Sequence, residues 1–414
     1  MFFVRYIVFF IITLTTSTAF ALTLEEAIIS AKQQSTEVQI EEKKSELTEL
    51  SKADAATMFL PNASFNHHDG NRTTTTSTQN FDLKENTRTF TVSQPLFTGF
   101  QGVSRVKEAK YKTDAAKESL KAKKSDVSLL VAESYVSIFK LRRIIEIESD
   151  QISSYKKILE LAKQRLKLKD ISYGEYNEYE VKNQNIIIDA EKNKTLLREY
   201  ELKFENLVKQ KPNNIVKPTI ASKLESFENV FSSATTDNPK IKSARYSVKA
   251  AKSAVSAERG KLLPKISFSL QRDRQKSSYY FGGSSVNSDA AYFDFTIPIF
   301  QSGSEYTSIA KANKQKQIAE LEHKLAIEEV EKGVSEEYNK FISLRESSAS
   351  FVELLNGANE SLSLAEDRFK KKDIGHMELL LKKVDVADLE KQLTTIEGDA
   401  LISYFTIKAL SGEL

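Results

Sequence analysis

The sequence predicts a mixed, mainly α-helical fold that contains two copies of one unit, each with a β-hairpin and a long helical hairpin. Three observations support this prediction. The chain repeats itself at a fixed spacing of 203 residues. Two long stretches lack proline and carry apolar residues at helical spacing. Two proline-flanked segments alternate apolar and polar residues, as strands with one apolar face do.

The repeat is most evident around two strand-like phrases, FTVSQPLFTGF at 90–100 and FDFTIPIFQSG at 293–303. Phe90, Pro95 and Phe97 recur 203 residues later as Phe293, Pro298 and Phe300. The same offset pairs Pro61 with Pro264, Tyr135 with Tyr338, Arg165 with Arg368, Asp170 with Asp373, Glu175 with Glu378 and Leu207 with Leu410. One offset over such a span indicates a duplicated chain.

Long helices are predicted in residues 96–211 and 299–414, which are proline-free stretches of 116 residues each. Apolar residues recur every seven positions at Ile138, Ile145, Ile152, Leu159 and Leu166, and Leu141, Tyr155 and Ala162 fill much of a companion seam. This spacing is typical of coiled-coil packing. A helix over about 103–168 would be roughly 100 Å long. We therefore expect helical hairpins at about 100–210 and about 303–410.

Strands are predicted in the segments that the prolines delimit. Ile266, Phe268 and Leu270 alternate with serine and glutamine, and the residues around Phe293 and Phe295 alternate in the same way. The Thr-, Asn- and Ser-rich middle of 61–97 suits an exposed loop. Each half thus carries one hairpin, at about 61–97 and about 264–300.

The first 21 residues read as a secretory signal peptide, with Arg5 followed by an apolar run and an Ala19-Phe20-Ala21 cleavage sequence. The alternative is a membrane anchor, for which the apolar run is short. The remaining chain divides into a first repeat over 22–211, a linker or equatorial segment over 212–238 and a second repeat over 239–414.

Composition excludes several classes of function. The chain has no cysteine, which excludes disulfides and thiol catalysis. Its net charge is +3, and no segment is basic enough to indicate binding of nucleic acid. His67 and His68 are adjacent, so on a strand they point to opposite faces and make a poor metal pair. No phosphate loop or catalytic motif is present. We expect no enzyme activity, no cofactor and no metal site.

The two halves together supply four strands, which are too few to close a barrel, whereas three copies of the chain would supply twelve. With the signal peptide, the duplicated halves, the Leu-Pro-x-x-x-Phe strand start and the long heptad runs, the chain resembles the TolC family of outer-membrane efflux proteins. The resemblance covers essentially the whole mature chain. It implies a homotrimer with a twelve-stranded transmembrane β-barrel, surrounded by outer-membrane lipid and continuous with a periplasmic α-barrel. It also implies a mixed equatorial region from 22–35, 212–238 and the C-terminus.

The two helical turns, RLKLKDISYGE at 165–175 and RFKKKDIGHME at 368–378, resemble the tip signature of that family. The resemblance implies that the tips dock a periplasmic adaptor. The matched docking positions are Arg165, Ile171, Ser172, Glu175, Ile374 and Gly375. At the position of the family's turn glycine this chain has Lys169 and Lys372, and lysine is a poor substitute where the backbone φ is positive.

By the same resemblance the second turn constricts the pore, with Arg368, Asp373 and Glu378 as the gate residues. Glu378 from three chains would form an acidic ring, which favours cations. Its alternative role is that of a solvated residue that interacts with the helix dipole. The lysines at both turns have the same alternative at helix C-termini. Leu381 stands where a second acidic ring would need a carboxylate.

The function implied is that of a passive exit duct of a tripartite efflux pump, which conducts small molecules when docked to an adaptor and an inner-membrane transporter of the RND or ABC type. One alternative is the outer-membrane channel of a type I protein secretion system. Another is a periplasmic coiled-coil adaptor that forms no channel, but adaptors would be expected to carry compact β-domains between the hairpin arms rather than two matched β-hairpins. The expected location is the outer membrane, with a periplasmic extension.

Overall fold

The computed structural model of the chain describes residues 22–78, 80–218, 224–279, 282–300 and 302–414. The predicted signal peptide, residues 1–21, lies outside the described residues. The fold is mainly helical with one small antiparallel sheet, which confirms the predicted fold class at this level. The elements in chain order are α1 (Leu24–Gln34), α2 (Thr36–Thr57), β1 (Asn62–Thr75), β2 (Asn80–Phe97), α3 (Gln101–Lys167), α4 (Tyr173–Val208), α5 (Phe227–Asp237), α6 (Pro239–Gly260), β3 (Lys265–Tyr279), β4 (Gly282–Thr296), α7 (Ser304–Lys370) and α8 (His376–Leu410).

The two β-hairpins join into one four-stranded antiparallel sheet with the order β1-β2-β3-β4. Strands β1 and β3 begin one residue after Pro61 and Pro264, because proline cannot continue the preceding helix and favours extended backbone before it. The β2–β3 register shifts between Pro95 and Phe97, where proline lacks the N–H that a regular ladder needs. In a single chain, β1 and β4 are the edge strands.

The sheet has one apolar and one polar face over the part nearest the helices. Cross-strand register places Phe65 opposite Phe90 and Phe268 opposite Phe293 on the apolar face. There Phe65, Phe293 and Phe295 are 64, 75 and 62% exposed. On the polar face the Ser269 hydroxyl donates to Asp294 Oδ2 at 3.0 Å. Such a run of exposed phenylalanines needs an apolar partner that a single chain in water does not provide.

The chain forms two compact units. Among the described residues, the first contains 22–34, 127–218 and 340–405, and the second contains 35–126, 224–339 and 406–414. Each unit takes segments from both sequence repeats.

In the first unit, α3 carries two adjacent apolar seams that differ in burial. Leu141, Tyr155 and Ala162 of the companion seam are buried, as is Ile158. Of the seven-residue series, Ile138 is fully buried, whereas Ile145, Ile152, Leu159 and Leu166 are only half-buried. The companion seam is therefore the one that this chain covers by itself.

Two polar residues, Glu148 and Gln151, interrupt the buried seam of α3. Glu148 is fully buried, and both of its carboxylate oxygens accept from Asn193 Nδ2 of α4, at 2.9 and 3.1 Å. Lys391 Nζ of α8 lies 3.7 Å from the same carboxylate. Gln151 donates to Asp388 Oδ1 of α8 at 2.7 Å. We call Glu148, Gln151, Asn193, Asp388 and Lys391 the polar seam. It favours this pairing of α3, α4 and α8, because another alignment would separate the buried Glu148 carboxylate from Asn193 and Lys391.

Tyr135 ties Leu22, the first residue that the structure describes, to the segment after α4. Its buried hydroxyl lies 2.9 Å from the Leu22 carbonyl and 3.0 Å from the Val216 carbonyl, and it accepts from the Val216 N–H at 3.1 Å. Leu22 and Ile215 also form a parallel β-bridge. Burial raises the pKa of the Tyr135 phenol.

In the second unit, close backbone contact joins the start of α3 to the end of α6. A Cβ on Gly260 would lie 2.5 Å from the Gly99 carbonyl oxygen, and a Cβ on Gly99 would lie 2.4 Å from the Gly260 oxygen. Gly99 also has a φ of 61°. Only glycine fits at either position.

Asn238 connects three parts of the second unit. Its side-chain oxygen accepts from the Lys240 N–H at 2.8 Å and so caps α6, while its amide donates to the Leu410 carbonyl at 2.8 Å.

Among the helices that the structure describes, none is both long enough and apolar enough to cross a membrane.

Candidate functional site

The first helical turn, between α3 and α4, ends α3 in a Schellman motif. The Asp170 N–H donates to the Arg165 carbonyl at 2.9 Å, and the Lys169 N–H donates to the Leu166 carbonyl at 3.0 Å. Lys169 has a φ of 57°, the left-handed conformation that this motif requires and that usually selects glycine. A lysine therefore occupies a position at which a Cβ is strained.

The second turn, between α7 and α8, repeats this geometry 203 residues later. The Asp373 N–H donates to the Arg368 carbonyl at 2.8 Å, and the Lys372 N–H donates to the Phe369 carbonyl at 2.9 Å. Lys372 has a φ of 64°. Both turns lie in the first unit.

The returning helices begin differently. Ser172 caps α4 in a capping box, in which its hydroxyl accepts from the Glu175 N–H at 3.1 Å and its N–H donates to the Glu175 carboxylate at 2.8 Å. Gly375 stands at the equivalent position before α8 and has no side chain to accept. The Glu378 carboxylate is exposed and forms no hydrogen bond or ion pair with the described residues of the chain.

The two arginines also differ. Arg165 Nε donates to Asp170 Oδ2 at 2.6 Å, and this hydrogen bond raises the pKa of the guanidinium further above its ordinary value. Arg368 forms no ion pair with Asp373, nor with any other acid in the part of the chain that the structure describes. Among the described residues of the chain, Arg368 and the carboxylates of Asp373 and Glu378 thus have no ion-pair partner. Their partners must be water or groups outside the chain.

Apolar residues anchor the first turn against the start of α8. Tyr155, Ile158 and Ala162 of α3 form a buried cluster with Ile186 of α4 and with Met377, Leu380 and Val384 of α8. Ile171 packs against this cluster, and Arg165 Nη1 lies 3.7 Å from Met377 Sδ. The first hairpin and the first turn of α8 therefore share one core.

A separate small cluster supports the second turn. Ile374 is buried with Ala365 and Leu379. The rings of Phe369 and His376 stack with their centroids 5.3 Å apart, on either side of the turn. The repeat counterparts Ile171 and Ile374 both pack against apolar clusters. Each therefore helps to hold its own turn in place.

The most exposed apolar side chains at the turns belong to the first one. Leu168 is 80% exposed and Tyr173 is 70% exposed. Their neighbours Lys167 and Lys169 are also exposed. Aromatic residues are enriched in protein interfaces and lysines are depleted from them, so Tyr173 is the residue of this surface best suited to contact with another protein. Within the described ranges, no three His, Cys, Asp or Glu side chains come together as a metal site.

Sequence reasoning placed the turns but did not separate the roles of Glu175 and Glu378. The Ser-x-x-Glu spacing at 172–175 is the signal that would have identified the capping box. The polar seam was also missed, since its partners lie on three helices that are far apart in sequence.

Comparisons with known proteins agree with this architecture. A sequence model described as "outer membrane efflux protein" matches residues 44–169 and 230–413. None of the curated proteins matches the sequence.

Several solved structures share the fold at low sequence identity. The outer membrane protein VceC of Vibrio cholerae is 14% identical with a TM-score of 0.76, and the alignment covers 94% of this chain and 96% of that one. The CmeC outer membrane channel of Campylobacter jejuni is 13% identical with a TM-score of 0.75, covering 94% and 86%. The open-state MtrE outer membrane channel of Neisseria gonorrhoeae is 16% identical with a TM-score of 0.73, covering 94% and 89%.

Proposed function

The chain belongs to the outer membrane efflux protein family, and from this premise we propose that three copies form the exit duct of a tripartite efflux pump. In this proposal an inner-membrane transporter and a periplasmic adaptor deliver small molecules to the duct. The duct itself is passive and catalyses nothing.

One observation carries the proposal: the sheet is open and has an exposed apolar face. Four strands cannot close a barrel, and the backbone groups at the outer edges of β1 and β4 need partners in lipid. A neighbouring β4 would run antiparallel to β1, because strand direction alternates across the sheet. Three chains would then provide twelve strands, which is within the range of bacterial outer-membrane barrels.

The oligomeric state tests this proposal. We would purify the mature protein from outer membranes in a nonionic detergent and measure its mass by native mass spectrometry. Three chains per particle, with ion conductance after reconstitution into a planar bilayer, is the expected result. A protein that is soluble without detergent would contradict it and favour the adaptor alternative.

The second turn supplies the proposed constriction. Glu378 and Arg368 have no partners within the described chain, so three-fold symmetry could bring their copies together around an axis. The acidic ring would attract cations. Glu378→Gln should lower the ratio of cation to anion permeability. Glu175→Gln is a matched control, because glutamine can still complete the capping box of the first turn.

The first turn supplies the proposed adaptor contact. A photo-crosslinking amino acid at the exposed Tyr173 should capture a periplasmic adaptor in living cells, and the same probe at the buried Ile158 should capture none. An adaptor that serves a proton-driven exporter supports small-molecule efflux. An adaptor of an ABC exporter would favour protein secretion, and capture of no adaptor would refute the docking role of this turn.

A further inference from the structure

Four polar or basic side chains form a row across the apolar face of the sheet. This row lies farther from the helices than the phenylalanines do. The register aligns His67, Arg88, Arg274 and Asn287 across the four strands, and we call these four residues the basic row. The adjacent row toward the helices contains Phe65, Phe90, Arg272 and Asp289. The row after that contains Ala63, Val92, Leu270 and Ala291.

Arg88 and Arg274 are directly opposite each other on β2 and β3. Directly opposed residues in antiparallel strands have Cβ atoms about 4.5–5.5 Å apart, and like charges in such pairs are destabilising. Both side chains are exposed. Neither forms an ion pair within the described residues of the chain.

The acids in the two neighbouring rows of this face are each accompanied by a cation of the same row. Asp289 accepts from Arg272 Nε at 2.6 Å and from Arg272 Nη2 at 2.9 Å, which is a bidentate pair, and it also attracts Arg274 electrostatically. The row on the other side contains one acid, Asp69, and one cation, Lys276, so the three rows together keep the two charges of Arg88 and Arg274 in excess. The face therefore holds excess positive charge at this level.

The opposite face of the sheet has no such feature at the same level. The register there aligns His68, Thr87, Gln275 and Val286, none of which is a lysine or an arginine. At this level of the sheet, the positive charge therefore lies on the face that carries the exposed phenylalanines.

These observations identify the chemistry of a ligand. Two guanidinium groups side by side present planar sets of N–H donors that match phosphate oxygens. The apolar rows beside them suit acyl chains. The boundary between an apolar belt and a polar surface is where lipid headgroups lie.

We propose that the basic row binds an anionic phosphate monoester of a membrane lipid headgroup, in the leaflet on the side of the hairpin turns. The phosphate diester of phosphatidylcholine is excluded from this role, because its charge is balanced by the choline of the same headgroup. The bound phosphate lies between Arg88 and Arg274 and neutralises their repulsion. This inference rests on the proposed function, since it requires that the apolar face meets lipid.

The experiment uses the full mature protein in nanodiscs. We would compare discs of phosphatidylcholine alone with discs that also contain diphosphorylated lipid A, or lipid A from which the phosphates have been removed. The readouts are the thermal unfolding midpoint and the lipid retained in native mass spectrometry. The variants are Arg88→Gln and Arg274→Gln. Arg72→Gln is the matched control, because Arg72 is a cation of the same sheet that lies on the opposite face and pairs with Glu85 at 3.2 Å.

Phosphorylated lipid A should raise the midpoint of the wild type more than dephosphorylated lipid A does. Each basic-row variant should retain it about tenfold less well, as expected for the loss of charged hydrogen bonds, while Arg72→Gln retains it normally. In phosphatidylcholine alone, Arg88→Gln should be at least as stable as the wild type, because it removes the repulsion. A merely structural role of Arg88 predicts the opposite.

Three results would overturn the inference. One is equal retention of both forms of lipid A by the wild type, and another is normal retention by both variants. The third is equal stabilisation by inorganic phosphate that also displaces the lipid, which would make soluble phosphate the ligand. A protein that inserts as a conducting trimer but shows any of these refutes only this inference, whereas failure to insert refutes the proposed function.

Discussion

Lys169 and Lys372 occupy the same left-handed backbone position in the two helical turns, with φ angles of 57° and 64°, although 203 residues separate them. In an L-residue this conformation brings the Cβ too close to the following carbonyl oxygen, at a cost of roughly 1–2 kcal/mol. Both halves of the duplication have kept this strain in the same place.

Replacing either lysine with glycine should therefore stabilise the protein. Glycine relieves the steric cost but is more flexible in the unfolded chain, so the expected net gain is about 0.5–1 kcal/mol in the free energy of unfolding for Lys169→Gly. The measurement is the thermal unfolding midpoint in detergent. The control is Lys163→Gly, at an exposed position in the interior of α3, which should cost about 1 kcal/mol. If Lys169→Gly destabilises the protein as the control does, the backbone at Lys169 is not strained.

The capping box predicts opposite effects of two substitutions at equivalent positions. Ser172→Ala removes the acceptor for the Glu175 N–H and should cost about 1 kcal/mol. Gly375→Ser should install the same box with Glu378, since a Cβ there meets no heavy atom within 4 Å. The stability gain is a few tenths of a kcal/mol, because glycine is already a fair cap.

The same Gly375→Ser variant tests the acidic ring. A serine at this position would hold the Glu378 carboxylate against a backbone N–H, and cation permeability should fall without loss of the charge. Gly375→Ala, which cannot accept a hydrogen bond, should leave permeability unchanged. If both variants conduct as the wild type does, Glu378 does not face the permeating ions.

Tyr135 and its repeat counterpart Tyr338 predict unequal costs for one chemical change. Tyr135→Phe leaves the part-buried Val216 N–H without its acceptor and removes the bond to the Leu22 carbonyl, so we expect a loss of about 1–2 kcal/mol. The Tyr338 hydroxyl makes a single, more exposed bond of 3.2 Å to the Glu225 carbonyl, and Tyr338→Phe should cost less than about 1 kcal/mol. Equal losses would mean that the bridge at Leu22 does not depend on the hydroxyl.

The stability difference between the wild type and Tyr135→Phe should also change at alkaline pH. Because burial raises the pKa of Tyr135 in the folded state, the stabilisation from the neutral phenol is complete below its unfolded pKa, near 10. It is lost as the pH rises through the folded value. The stability difference between the wild type and Tyr135→Phe should therefore shrink above about pH 10.

The polar seam predicts a large effect of one buried carboxylate. Glu148→Ala leaves the Asn193 amide and the Lys391 ammonium without their acceptor, at an expected cost of about 3–5 kcal/mol. Glu146→Ala should cost less than about 1 kcal/mol, because Glu146 pairs with Arg143 on the surface of the same helix. A loss of similar size for both would indicate that water reaches the seam.

The mainly helical fold was predictable because its signals are local. The strands β1 and β3 start next to Pro61 and Pro264, and the long helices follow heptad spacing over residues that are close in sequence. The partners of Glu148 could not be predicted in this way, because Asn193 and Lys391 become its neighbours only after three helices pack.

The basic row was hidden for a related reason. Arg88 and Arg274 are 186 residues apart, and nothing short of the β2–β3 register shows that they are opposed. The Ser172–Glu175 box, by contrast, has a local signal in the sequence, because its two residues are three positions apart.

The contact between Gly99 and Gly260 bears on how the duplicated halves have diverged. Their counterparts at the 203-residue offset are Ser302 and Thr57, so neither glycine is matched in the other half. Ser302 has a φ of 56°, close to the 61° of Gly99, although it carries a Cβ. The close approach therefore belongs to one of the two strand-to-helix crossings only. Two copies of either half would lack one of the two glycines, so this contact forms only between the two different halves of the chain.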